Sequence, residues 1–278
     1  MGIVSGINRF VHLWIDTLRQ IGSGKIWLLL LALFGINWLV LYAHYNFLSA
    51  PFYGVISFWT SLFGEQPAGG FTHYPGHFLL LPYFFGWAKT IISVIFEGAI
   101  LGIVAMLFYR RYMRLESEPV ELLNASLLWK FIAAWALFNV IVVGAGQLLP
   151  TIFESVLVGS PRRQAAFTYG LMPLVFVVLL AVFLYVIPSI IVFRDSLFGA
   201  IGRSLKIFVR NPFTSFFLAV FIMFFPLAFA LLNNPQTIVS KFNPELVYWL
   251  LFGGLVADFI ANYFWMGTTT RLLVSEEE

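Results

Sequence analysis

The chain has 278 residues, of which 60% are hydrophobic and only 10% charged, where a soluble domain carries roughly a quarter charged residues. Lipid is therefore the expected solvent for most of its surface. The modest net charge of +3 and the low charge density exclude soluble nucleic-acid binding, and the absence of cysteine excludes disulfides, thiolate metal sites and thiol catalysis.

Residues 1–24 do not read as a cleavable signal, because Arg9, Asp16 and Arg19 are mixed into the apolar run. Ile3, Ile7, Phe10, Trp14, Leu18 and Ile21 recur at steps of three or four, the helical period. That pattern predicts an amphipathic helix lying along a membrane surface, with a solvated tail as the plainer alternative. A bilayer core needs about 20 apolar residues per helix. Six segments qualify, at 26–48, 78–109, 129–157, 171–193, 213–232 and 247–268. The fold class is all-α: one polytopic membrane domain over 1–278, with 269–278 as a cytoplasmic tail.

After the first span comes a long loop without Lys or Arg. Its stretch PFYGVISFWTSLF (Pro51–Phe63) is too short to span and is expected to lie on the outer leaflet, and GEQPAGG reads as a flexible turn. His73 and His77, with His44 and Glu65, offer imidazole and carboxylate ligands for zinc. Pro75 and Gly76 between the two histidines disfavour one helical face, so interfacial hydrogen bonding is the competing reading.

Span two carries Lys89 and Glu97 at membrane depth, where an ionisable side chain is costly unless partnered. The Lys89 stem is long enough to carry its ammonium toward the outer headgroups. Glu97 precedes Gly98 and Gly102, a GxxxG pair that predicts close packing of that edge against another helix. Span three contributes Asn139, Gln147 and Glu154, with Gly144-Ala145-Gly146 as a candidate helix break, and span six contributes Asp258 and Asn262 four residues apart. These residues either line a polar pathway, with Glu97 and Asp258 responsive to protons or cations, or hold helices together by interhelical hydrogen bonds. Pro82 and Pro150 mark expected kinks.

The cytoplasmic side is expected to hold amphipathic segments before each outward hairpin: Ile3–Ile21, Pro119–Leu128 and Asp195–Val209. They suggest three repeats of surface helix plus hairpin. In the third, Leu197, Ile201, Leu205 and Phe208 form the apolar face, and Arg203, Lys206 and Arg210 are placed to meet anionic headgroups. Asn211-Pro212 ends that helix and begins span five. The stretch VIPSIIVFRDSLFGAIGRSLKIFVRNPFTSFFLAVFIMFFP (Val186–Pro226) carries Pro188, Asp195, Ala200, Ser204, Arg210 and Asn211. In this it resembles uncharacterised bacterial six-span inner-membrane families related to the membrane domain of glycerophosphodiester phosphodiesterases. The resemblance implies a bacterial plasma-membrane protein and brings no agreed activity with it.

Orientation follows from the basic residues. Twelve lie on the side of the N-terminus, the loops after spans two and four, and the C-terminus, against Arg162, Arg163 and Lys241 on the other. Both termini are thus expected in the cytoplasm. The acidic residues Glu116, Glu118 and Glu121 read as a solvated turn, Ser160-Pro161-Arg162-Arg163 as a hairpin turn, and Glu276–Glu278 as a disordered tail. Phosphate loops, dinucleotide fingerprints, zinc-protease motifs and nucleophile elbows are absent. The expected role is that of a non-catalytic structural or accessory protein, without a cofactor, that interacts with membrane lipids or a membrane-protein partner. A small transporter or channel component using Glu97 and Asp258, for a lipid-like or ionic substrate, is the alternative.

Overall fold

The computed structural model describes residues 3–115, 125–241 and 243–277. They form helices throughout, with no strand among the described residues. Six helices are long and apolar enough to cross a membrane: Gly24–Tyr45, Gly76–Tyr112, Ala125–Ile152, Pro161–Val192, Pro212–Leu232 and Glu245–Glu276. They are called spans one to six below, and the chain is an all-α, multi-pass integral membrane protein. The expected spans differ from these mainly at their ends. Glu116, Glu118, Glu121 and most of the expected surface segment Pro119–Leu128 lie outside the described residues, while Ala125–Leu128 belong to the helix of span three.

The described chain divides into two packing units. Unit 1 is Met1–Leu30, Val94–Phe224 and Ala261–Glu278; unit 2 is Leu31–Ser93 and Phe225–Ile260. Spans one, two, five and six contribute segments to both.

In unit 1 the N-terminal helix Ile3–Leu18 is not a free surface element. Gly6, Leu13 and Thr17 are buried, and Trp14 stacks on Phe264 with ring centroids 4.2 Å apart. Gly6 is needed there, since a Cβ at that position would lie 2.9 Å from the Cβ of Phe213. Arg9 donates to Asn211 Oδ1 at 2.9 Å, and Asp16 accepts from Arg271 at 3.0 Å. Ile3, Val4, Ile7, Val11, Ile15 and Leu18 stay exposed. At 100° per residue these six fill one arc, the buried Gly6, Leu13 and Thr17 a second, and Asn8, His12, Ser5 and Asp16 a third.

The helix Leu197–Arg210 repeats this three-arc plan. Ala200, Ser204 and Ile207 are buried, Phe198, Leu205 and Val209 are exposed, and Lys206 and Arg210 lie on the remaining arc. Here the structure corrects the expected face. Leu197, Ile201 and Phe208 are half-buried against the protein, and of the four expected lipid contacts only Leu205 is exposed. A single helical period cannot distinguish an apolar arc that packs on protein from one that faces lipid.

Span four is broken, where the sequence suggests one continuous helix. Met172–Phe183 gives way to a turn at Leu184–Tyr185 before Val186–Val192 resumes. Pro188 has no N–H to offer the carbonyl four residues back. Trp265 supplies the missing donor, its indole Nε1 reaching Leu184 O at 2.9 Å. Ser204 covers the neighbouring groups: its hydroxyl donates to Val182 O at 2.5 Å and accepts from Tyr185 N at 3.3 Å. Tyr185 is itself fully buried and shares a 2.8 Å hydrogen bond with Ser215. The expected break at Gly144-Ala145-Gly146 is absent, since those residues lie inside one α-helix. Span two leaves α geometry in a π turn at Ser93–Glu97, while Pro82 is carried within the preceding helix.

The last helix also departs from expectation. It runs from Glu245 to Glu277 and absorbs most of the supposed tail. Thr268 and Thr269 return their hydroxyls to Phe264 O and Trp265 O, both at 2.6 Å, which lets polar residues sit at zero exposure. Glu276 is held by Asn211 Nδ2 at 3.2 Å and by Arg9 at 3.5 Å. These contacts tie Glu276 to residues far away in sequence, which a local reading of the acidic run misses; Glu278 lies outside the described residues.

Unit 2 is built on an aromatic core that includes Phe47, Phe71, Phe84, Phe85 and Tyr248. Phe52–Ser61 is a short helix whose Tyr53, Val55 and Phe58 are exposed. The supposed flexible turn is another helix, Glu65–Phe71. Phe71, fully buried, anchors it. Gly76 admits it, because a Cβ there would strike the carbonyl of Gly70. In unit 1, Ser160 caps the N-terminus of span four, the helical stretch Pro161–Ala166, by accepting from Arg163 N at 3.4 Å.

Candidate functional site: the polar residues of the spans

Glu97 closes the π turn of span two and is 8% exposed. Its Oε1 accepts from Asn262 Nδ2 at 2.9 Å. Gly98 and Gly102 bring this part of span two against span three. A Cβ on Gly98 would lie 2.7 Å from the Trp135 Cβ and 3.0 Å from Phe131 O, and one on Gly102 would overlap the Phe131 ring. The glycine edge therefore faces protein, and its partner helix is span three. Glu97 and Asn262 both belong to unit 1.

Lys89 and Asp258 meet within unit 2, Nζ to Oδ2 at 2.5 Å. The reach of Lys89 toward headgroups is thus replaced by an ion pair with the last helix. Lys89 and Glu97 are eight residues apart, too far for a direct bond along one helix, and each takes its own partner. Asp258 and Asn262, expected on one face as a possible pathway, divide between the two units and between these two partners.

The span-three residues do not join them. Asn139 returns its amide to Trp135 O at 2.9 Å on its own helix, and Gln147 and Glu154 are exposed. The histidines separate in the same way. His73 and Glu65 are exposed, while His77 is buried and packs on Phe71 and Phe47 with centroids 4.6 and 4.7 Å apart. His44, also buried, bonds Val40 O at 2.7 Å. No group of three His, Cys, Asp or Glu comes together as a metal site among the described residues.

Of the three basic residues expected at headgroups, Arg203 is committed elsewhere. It forks onto Asp195 through bonds of 2.6 and 3.1 Å and lies 4.0 Å above the Phe193 ring. Its hydrogen bond to that carboxylate pushes the guanidinium pKa up from an already high value. Lys206 and Arg210 remain exposed.

Asn233 was not signalled by spacing or composition. It lines a cleft of about 210 Å³ in unit 2 together with Lys89, Asp258 and apolar residues that include Phe85, Phe229 and Leu251. Its Oδ1 is buried without a hydrogen-bond donor. Only the fold brings this residue, just beyond the end of span five, beside an ion pair built from spans two and six.

No protein-family model, curated protein or solved structure matches the chain. The motif positions of Val186–Pro226 nonetheless have clear physical roles. Pro188 frees a carbonyl, Ala200 and Ser204 fill the packed arc, Asp195 holds Arg203, and Asn211 bridges Arg9 and Glu276.

Proposed function

We propose that the protein is a non-catalytic accessory or membrane-organising component of a bacterial plasma membrane, docked to lipid or to a membrane-protein partner. The observation that carries this reading is the three-arc design of Ile3–Leu18 and Leu197–Arg210. Each helix is fixed to the bundle along one arc and turns an exposed apolar arc outward beside a polar one. Helices of that design insert a few ångströms into the acyl boundary, with Lys206 and Arg210 among anionic headgroups. The partnering of Glu97 with Asn262 and of Lys89 with Asp258 supports a packing role for the intramembrane charges. The joining of the N-terminal helix to the end of the last helix through Arg9–Glu276 and Asp16–Arg271 supports both termini on one side, and the basic-residue distribution supports that side being cytoplasmic. The described motif positions are compatible with kinship to the six-span families related to glycerophosphodiester phosphodiesterase membrane domains.

The test is complementation of a deletion strain. Glu97→Gln should restore the phenotype, while Phe198→Asp combined with Val209→Asp should fail although the protein accumulates. The competing reading, a small transporter or channel component, draws on the cleft that reaches Asp258 and on the π turn that ends at Glu97, since π turns recur at functional sites. A folded, inserted Glu97→Gln protein without function would transfer the assignment to transport.

A further inference from the structure

We infer that the cleft of unit 2 binds an uncharged single-chain amphiphile. Its walls are apolar, with Phe85, Pro226, Phe229, Leu250 and Leu251 among them, and its polar groups sit at two stations. One is the Lys89–Asp258 ion pair and the other is Asn233. Along the last helix the cleft extends from Leu250 to Asp258, about 12 Å at the helical rise.

Both stations offer acceptors. Asn233 Oδ1 is buried and receives no hydrogen bond, an arrangement that calls for a donor from a bound molecule or water. Asp258 bonds Lys89 through Oδ2, leaving its second oxygen to accept from a ligand. The side chains of Lys89 and Asp258 are 30% and 29% exposed, so the cleft opens to its surroundings.

Charge decides between ligand classes. An anionic or cationic head would draw one member of the ion pair away and leave the other uncompensated in a low-dielectric wall. A hydroxyl or amide donates to Asn233 or Asp258 and leaves the pair intact. Volume decides the rest: about 210 Å³ is below the usual range for drug-sized sites, roughly 300–1,000 Å³. One alkyl chain suits that space better than a two-chain lipid.

Gly254 supplies the means of testing this. A Cβ at Gly253 would overlap the Phe229 ring, whereas one at Gly254 meets nothing nearer than the Phe229 Cβ at 3.7 Å. A longer side chain at 254 therefore extends into the cleft.

The experiment uses the purified full chain in lipid nanodiscs with three diazirine probes of equal chain length: an alcohol, a carboxylate and a trimethylammonium. Peptide mapping should place the alcohol probe on residues 225–233 and 250–258 in clear preference to either ionic probe. Gly254→Leu should abolish that labelling with thermal unfolding unchanged. Asn233→Leu should reduce it about fivefold, the loss of one hydrogen bond of roughly 1 kcal/mol. If Gly254→Leu does not fold, Asn233→Leu and Asn233→Asp decide, the latter shifting preference to the cationic probe. The inference is overturned by equal labelling with all three probes, by preference for an ionic one, or by alcohol labelling that Asn233→Leu leaves undiminished.

Discussion

Glu97, which the sequence singles out as an ionisable residue at membrane depth, has a hydrogen-bond partner on the last helix, Asn262. A carboxyl accepting from the Asn262 amide at 8% exposure keeps its geometry when replaced by an amide. Glu97→Gln should change the thermal midpoint in detergent little, whereas Glu97→Leu leaves Asn262 unsatisfied and should cost about 1–3 kcal/mol. Gly98→Leu should be worse, because any side chain there drives span two away from Trp135 and Phe131. The ion pair obeys a different rule. Removing one member by Lys89→Met or Asp258→Leu should cost up to about 3 kcal/mol, and the double replacement should recover most of the loss, because a lone charge is worse than none. Equal and additive losses in that cycle, measured by detergent unfolding, would show that the two groups do not act as a pair.

Among the elements, the broken span four is held by side chains that other helices provide. Ser204→Ala strips Val182 O and Tyr185 N of their partner, and Trp265→Phe strips Leu184 O. Each should destabilise by about 1–3 kcal/mol, read as a lowered thermal midpoint, while changes at exposed Leu205 should be nearly silent in detergent. This element also marks the limit of what sequence shows. Period and length reveal the helices and spans, because lipid demands long apolar runs whose backbone bonds are internal. They do not reveal that Trp265, 81 residues from Leu184, completes a turn. The same holds for Lys89 with Asp258, Glu97 with Asn262, and Arg9 with Glu276. Pairings of that kind are set by tertiary contact: a polar residue at membrane depth is legible by itself, but nothing local names its partner. The GxxxG edge at Gly98 was legible as a contact surface because small residues at that spacing serve close approach; which helix approaches it was not.

For the molecule as a membrane protein, the natural absence of cysteine permits a direct test of topology. Ser61→Cys lies at the end of the short helix after span one and Lys206→Cys in the helix before span five, both exposed. A membrane-impermeant maleimide added to intact cells should modify the first and spare the second until the membrane is opened. Modification of Lys206→Cys from outside would reverse the orientation. The joining of Arg9 to Glu276 and of Asp16 to Arg271 adds a second expectation. Reversing the charges at Asp16 and Arg271 together should be tolerated better than reversing either alone, measured by the yield of folded protein. The gain should be modest, about 1 kcal/mol, because both groups keep near 30% exposure.

The interruption at Leu184–Tyr185 also sets an order for biogenesis. A ribosome delivers span four just before the helix that bears Ser204, and both well before the indole of Trp265. Until both arrive, carbonyls that Pro188 and the turn release face hydrocarbon with no donor, a state lipid does not tolerate. Nascent chains halted at residue 195, at 211 and at 270 should therefore differ in lifetime. The first two should be held by the insertion machinery or degraded, and the third should leave it and persist. Pulse-chase of staged truncations would record that sequence, and equal lifetimes for all three would contradict it.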